Sequence, residues 1–181
     1  MRVIAGSARG MRLAGPRGST RPVSDRAREG LFASLGDRVV EARCLDLFAG
    51  TGALGIEALS RGAASCVFVE RDPAAVRVIR ENLERTRLAP LGRVIRATVQ
   101  GHLRRGSHDR PDLVFLDPPY DHPEDDLRSV LGSVDDRLVR GGRFVLTRPK
   151  TGAIDVIPVN FQVERRLSYG DAVILVCREG R

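Results

Sequence analysis

The 181-residue chain predicts an α/β fold: a mostly parallel sheet, helices on both faces and an antiparallel hairpin at one edge. Three observations predict it. Short apolar runs of strand length recur from Cys44 onward: CLDLF, SCVFVE, RVIRA, DLVFLD and RFVLT. Segments of helical character separate them, which is the alternation that gives a parallel sheet. The last two runs, FQVERRL and AVILVC, lie close together around a Tyr169-Gly170-Asp171 turn, a spacing that suits an antiparallel hairpin and no crossover helix.

The elements follow in order. RVIA and MRLAG read as two short strands of a hairpin joined through Gly6-Ser7-Ala8-Arg9-Gly10. Ser24 is placed to cap a helix from Asp25 to about Leu35, with Ala27, Leu31 and Leu35 on one face. CLDLF is a strand, then comes a glycine-rich turn and a helix around Ala53–Arg61. SCVFVE is the next strand. Pro73 suits the first turn of a helix, where its missing N–H costs nothing, and that helix runs to about Arg87. RVIRA is a strand, and His102–Arg105 belong to a short helix. DLVFLD is a strand, followed by a helix around Pro123–Leu131. RFVLT starts after the Gly141-Gly142 turn. Residues 1–20 read as a basic extension and residues 21–181 as one domain, a size at which a chain buries a substantial core.

Composition narrows the function classes. Hydrophobic residues make up 42% and charged residues 29%, which is globular and not disordered. The net charge is +7 and Lys150 is the only lysine. Such a balance suits a polyanionic partner and says nothing about fold. Seven of the arginines fall in the first thirty residues, against Asp25 and Glu29 alone. Cys44, Cys66 and Cys177 are scattered in apolar stretches without a CxxC pair, so they read as small buried hydrophobes, neither a disulfide framework nor a zinc site. His102, His108 and His122 do not cluster at ligand spacing; His122 reads as a loop residue in solvent, and no metal is expected. No run reaches the length of a membrane span and the N-terminus has no apolar leader region. A cytoplasmic, membrane-free monomer is expected.

Two motifs carry chemistry. In Asp46-Leu47-Phe48-Ala49-Gly50-Thr51-Gly52-Ala53-Leu54-Gly55, the glycines fit G-x-G-x-x-G between a strand and a helix, and Glu70 ends the next strand twenty residues past Gly50. Glycines allow the tight turn and close backbone approach, and the carboxylate accepts from ribose hydroxyls. NAD and S-adenosylmethionine compete for such a loop. NAD would set a pyrophosphate at the helix N-terminus. S-adenosylmethionine carries a sulfonium and an amino acid, so the nearby Asp46 favours it. Asp72 stands close to Glu70 but, with Pro73, also reads as a helix start.

The second motif is Asp117-Pro118-Pro119-Tyr120, which stops an apolar strand abruptly. Two prolines cannot continue a ladder. In open α/β sheets ligands bind beyond the carboxyl ends of strands, where both motifs lie. An aromatic exocyclic amine is a poor nucleophile because its lone pair is delocalised. Asp117 and the Pro118 carbonyl can accept its N–H groups and turn the lone pair outward. Prolines keep those oxygens placed, and Tyr120 can stack on a base, a contact worth about 1–3 kcal/mol.

FAGTGALG followed by LDPPY resembles the class I S-adenosylmethionine-dependent amino-methyltransferases. Arg21-Pro22-Val23-Ser24-Asp25-Arg26-Ala27-Arg28-Glu29-Gly30-Leu31-Phe32, LDLFAGTGALGIEALSRGA and Ser168-Tyr169-Gly170-Asp171 resemble corresponding segments of the bacterial 16S rRNA guanine-N2 methyltransferases of the RsmD family. The resemblance covers nearly the whole chain. It implies a Rossmann-like seven-stranded sheet with its last strand antiparallel and a small N-terminal β-hairpin. It also implies methylation of one guanine N2 in 16S rRNA, in the 30S subunit or a late assembly intermediate. It assigns S-adenosylmethionine to Asp46, Phe48, Ala49, Gly50, Gly52, Glu70 and Arg71, and catalysis to Asp117, Pro118, Pro119 and Tyr120. The chain departs from its relatives at Arg96-Ala97-Thr98-Val99, leaving adenine contacts to Thr98 or backbone, and at Thr147-Arg148-Pro149, where some relatives carry Glu. Arg9, Arg12, Arg21, Arg26 and Arg28 are the expected RNA contacts, since guanidinium pairs bidentately with phosphate. Other readings are an adenine-N6 DNA or RNA methyltransferase, a protein glutamine methyltransferase, an NAD-dependent oxidoreductase in which DPPY is idle, and an RNA-binding assembly factor that has lost catalysis.

Overall fold

The computed structural model describes residues 1–15, 23–105, 110–150 and 156–180. The elements run α1 (Asp25–Leu35), β1 (Arg43–Leu47), α2 (Ala53–Ser60), β2 (Ser65–Glu70), α3 (Pro73–Thr86), β3 (Gly92–Arg96), α4 (Val99–Arg104), β4 (Leu113–Leu116), α5 (Glu124–Asp135), β5 (Arg143–Pro149), β6 (Phe161–Tyr169) and β7 (Ala172–Glu179). The seven strands form one sheet in the order β3-β2-β1-β4-β5-β7-β6. The first five strands are parallel, and β7 runs antiparallel to both β5 and β6. The closing hairpin therefore inserts its second strand, β7, against β5 and leaves β6 at the edge. The strand order reverses between β1 and β4, which opens a crevice at their carboxyl ends.

Alternation along the strands explains the two-faced core. Cys44, Cys66, Phe68, Leu113, Phe115 and Val145 face α1, α2 and α3, while Leu45, Leu47, Val114, Leu116, Phe144 and Leu146 face α4 and α5. All four residues of β4 are buried, as a central parallel strand requires. The cysteines are free and buried, and burial pushes the Cys177 thiol up to about 12, an inert state. Ser24 caps α1, its side chain accepting from the Ala27 N–H at 3.2 Å. Asp72 caps α3 ahead of Pro73, accepting from the Ala74 N–H at 2.9 Å. Among the described residues no helix is long and apolar enough to cross a membrane.

The N-terminal segment departs from a regular hairpin. It closes through a single antiparallel bridge, Arg2 to Arg12, with Val3 N–H donating to Met11 O and Gly10 N–H to Val3 O. Its anchor is α2, not its own ladder. The fully buried Glu57 carboxylate accepts from the Ile4 and Ala5 N–H groups at 2.8 and 3.1 Å and from Arg61 Nε at 2.7 Å. The Ser60 hydroxyl donates to the Ala5 carbonyl and accepts from Ala8 N–H. Asn82 ties Ala14 to the carbonyl of Thr51 in the glycine turn. Two neighbours are too close for regular strands: a Cβ on Gly6 would lie 1.7 Å from the Ser60 carbonyl oxygen.

Replacing Glu57 by alanine strips three donors of their buried acceptor. Urea unfolding is expected to show a loss of about 3–5 kcal/mol, with faster proteolytic cleavage near residues 4–8. Glu57→Gln, which keeps one acceptor oxygen, is expected to lose less.

Candidate active site

Leu47 pairs with Leu116 on one side and with Val69 on the other. The segments that follow these residues therefore leave the sheet side by side: Phe48–Gly52 after β1, Glu70–Asp72 after β2 and Asp117–His122 after β4. The first turn needs left-handed backbone at Phe48, Gly50 and Gly52, with φ of 59°, 56° and 77°. It is held by Ala49 N–H donating to Val69 O at 3.1 Å and Gly52 N–H donating to Ala49 O at 2.7 Å. Glu70 stitches two loops together. One oxygen accepts from the Gly50 N–H at 2.9 Å, and the other accepts from the N–H groups of Arg71 and Asp72 at 2.8 and 2.9 Å.

The glycines have distinct physical roles. A Cβ on Gly50 would meet only the Phe48 carbonyl at 3.9 Å, so Gly50 presents bare backbone to open space. A Cβ on Gly52 would press on Ile79, Ile56 and Phe68, and one on Gly55 would lie 2.4 Å from Phe68. Gly52 and Gly55 let α2 settle on the sheet, and Gly50 leaves room for a ligand.

Asp46 is buried and accepts from the Gly55 N–H at 3.0 Å. Burial pushes its carboxyl well above the ordinary range; the Gly55 N–H opposes this, and the charges of Asp117 and Glu70 push it further up. Burial likewise lifts Asp117 to about 7, against a smaller lowering by the Thr147 hydroxyl beside it. Thr147 is the next residue of β5 after Leu146, the partner of Leu116, so it stands level with Asp117. Pro118 is buried, Pro119 is exposed and Tyr120 is 48% exposed. The Pro119 carbonyl accepts from the His122 N–H at 3.0 Å, while the Pro118 carbonyl accepts no backbone hydrogen bond among the described residues.

His122 departs from the sequence reading. Its ring packs edge-on against Phe48 at 5.0 Å between centroids and joins the two loops instead of standing in solvent. Partial burial lowers its pKa, and the nearby Arg148 and Arg71 cations lower it further, against Asp126 and Asp121. Its position two residues after Tyr120 was a signal; its partner on the other loop was not visible in the sequence. Thr147 and Arg148, noted in the sequence only as a departure from relatives, stand level with Asp117 and Pro118.

The remaining candidates spread out. Arg71 is exposed beside Glu70. Thr98 lies past the end of β3, but its hydroxyl caps α4 by accepting from the Gly101 N–H at 3.1 Å. Arg9, Arg12 and Arg26 are exposed, and Arg21 lies outside the described residues. Arg28 is the correction among the expected RNA contacts. It is fully buried, donating to the Arg2 carbonyl at 2.5 Å and to Asp25 at 2.7 Å, because its position on α1 faces the docked N-terminal segment. Among the described residues no group of His, Cys, Asp and Glu is arranged to hold a metal.

The carboxyl of Asp117 binds its proton more tightly folded than unfolded, so its contribution to stability is full below about pH 4 and is lost as the pH rises toward 7. Asp117→Asn removes that loss. The variant is expected to match the parent near pH 4 and to exceed it by about 2–4 kcal/mol at pH 8 in urea unfolding.

Comparison with known proteins matches this geometry. The family model described as "Conserved hypothetical protein 95" matches residues 1–178. A Bacillus subtilis protein named "Putative rRNA methyltransferase YlbH" is 40% identical over 175 residues, 94% of each chain. "Ribosomal RNA small subunit methyltransferase D" of Escherichia coli K12 is 41% identical over 121 residues, 66% of this chain and 60% of that one. The solved structure titled "Putative methyltransferase yhhF from Escherichia coli" superposes with a TM-score of 0.87 at 32% identity, over 99% of this chain and 97% of that one. The sheet is that of the class I S-adenosylmethionine-dependent methyltransferases, and the chain belongs to the Conserved hypothetical protein 95 family, the RsmD family.

Proposed function

We propose that the protein methylates the exocyclic N2 of a guanine in small-subunit ribosomal RNA, using S-adenosylmethionine. The observation that carries this reading is the adjacency of β1 and β4, which sets Asp117 and the Pro118 carbonyl beside the glycine turn.

The residues fit the cofactor. Asp46 lies buried within reach of the charges of Asp117 and Glu70, an arrangement a nearby cation relieves and a pyrophosphate aggravates. Gly50 offers open backbone, and Glu70 lies at the end of β2, where a ribose is expected. Bound there, S-adenosylmethionine supplies an electrophilic methyl group on a sulfonium.

The chain's own residues prepare the acceptor. Asp117 and the Pro118 carbonyl accept the two N2–H bonds and direct the lone pair toward the glycine turn. Tyr120, half exposed, stacks on the base once it has left its helix. Methylation leaves one proton surplus on nitrogen. Asp117 takes it on a carboxylate oxygen, and a pKa near 7 suits a base working at neutral pH. Residues 1–20 serve as an RNA-contacting extension through the exposed Arg9 and Arg12, and the exposed Arg26 of α1 adds a further phosphate contact. Arg9 sits on the turn docked at Ser60, the end of α2 away from the glycine turn, and the chain runs back to Ala14 beside Thr51. The substrate is 16S rRNA in the 30S subunit or a late assembly intermediate, met by a cytoplasmic monomer. Guanine N2 is the nitrogen that the family resemblance implies; adenine N6 is the competing acceptor.

Incubation with labelled S-adenosylmethionine and unmethylated 30S subunits, naked 16S rRNA or DNA tests the reading. N2-methylguanosine in digested 16S rRNA is the expected product; N6-methyladenosine, or label in DNA alone, would sink it. Asp117→Ala is expected to cut transfer at least about 100-fold while calorimetric affinity for S-adenosylhomocysteine holds. The parent's kcat/KM is expected to rise with pH through about 7 and then level, as the carboxylate form of Asp117 accumulates.

A further inference from the structure

β5 outlasts β4. Leu146 pairs with Leu116, and β5 continues through Thr147, Arg148 and Pro149, so two further side chains stand beside Asp117 and Pro118. Both are buried, at 3% and 4% exposure. Among the described residues, Arg148 Nε and Nη1 have no hydrogen-bond partner, and neither has His122 Nε2 on the loop after β4. The nearest carboxylate to Arg148, Glu124, lies 3.9 Å from Nη2, beyond hydrogen-bond range. Arg148 is close enough to His122 to depress its pKa. Buried N–H groups without acceptors are destabilising, and a ligand that brings acceptors would satisfy them.

The missing component must bring acceptors and fit beside a carboxylate. A phosphate fits poorly, because Glu124 and Asp126 flank Arg148 and His122. A neutral, flat ligand with acceptors on one edge and N–H donors on another fits well. Guanine has that pattern: N2–H and N1–H suit Asp117, and O6 and N7 are the acceptors that a guanidinium recognises. Adenine carries a donor where guanine has O6.

We infer that Arg148 is a specificity-determining residue, donating to the acceptor edge of the target base and so selecting guanine over adenine. The inference rests on the guanine-N2 reading above. Thr147, one residue earlier on β5, stands beside Asp117, and the His122 ring packs against Phe48.

The test uses 30S subunits reconstituted with 16S rRNA that carries, at the methylated position, either guanine or 2-aminopurine, which keeps the 2-amino group and lacks both O6 and the N1–H. The parent enzyme is expected to favour guanine by about 10- to 100-fold in kcat/KM. Arg148→Met is expected to narrow that preference several-fold, through a fall on guanine with little change on 2-aminopurine, the remainder being the N1–H contact with Asp117. Arg148→Gln, which keeps an N–H donor, is expected to fall between. Equal losses on both bases would overturn the inference and make Arg148 a prop for the loop. Equal rates of the parent on both bases would overturn it without any variant, even if Arg148→Met does not fold. Absence of N2-methylguanosine from the guanine substrate is the separate outcome that removes the underlying reading.

Discussion

The conflict between the burial of Asp46 and its acidic neighbours Asp117 and Glu70 is the constraint on which the site depends. The strand order β2-β1-β4 brings their strand ends together, and no residue choice at one strand alone creates the conflict. Each carboxylate meets it differently. Glu70 binds three backbone N–H groups. Asp46 is buried on the Gly55 N–H, with its protonation driven upward. Asp117, with only a weak hydroxyl influence, rests at about 7. Acidic groups at the strand ends suit a cationic ligand, and the raised carboxyl of Asp117 suits proton uptake. Those are the two requirements of transferring a methyl group from a sulfonium to an amine that must shed a proton.

The rigid framework keeps that conflict in place. The buried four-residue strand β4 cannot shift without disturbing both core faces, and the two prolines after Asp117 restrict the turn. The Phe48–His122 contact joins this turn to the glycine turn. Left-handed backbone at Phe48, a residue with a Cβ, is held by this packing and by the short bonds around Ala49 and Gly52.

The arginines divide by location. Arg28 and Arg148 are buried, while Arg9, Arg12 and Arg26 are exposed. Glu57 and Asn82 dock the basic N-terminal segment directly on the helices that flank the glycine turn. A segment anchored by a buried carboxylate and a buried amide does not need a ladder of its own, which is why the expected hairpin shrinks to one bridge.

The sequence by itself determined the parallel sheet, the closing hairpin, the helix starts at Ser24 and Asp72, and the two motifs, because each depends on local chemistry: period, turn residues and capping oxygens. It also implied that Gly50 and Asp117 belong to one site, since both end strands. Tertiary structure decided what depends on neighbours distant in the chain. It placed β7, not β6, against β5, and buried Arg28, an arginine that reads like its exposed neighbours. It turned Gly52 toward the core, engaged Thr98 as a helix cap, set His122 against Phe48, and carried Thr147 and Arg148 past the end of β4. Burial and register are properties of pairs of segments, and the charge conflict that drives the site exists only once three strand ends are side by side.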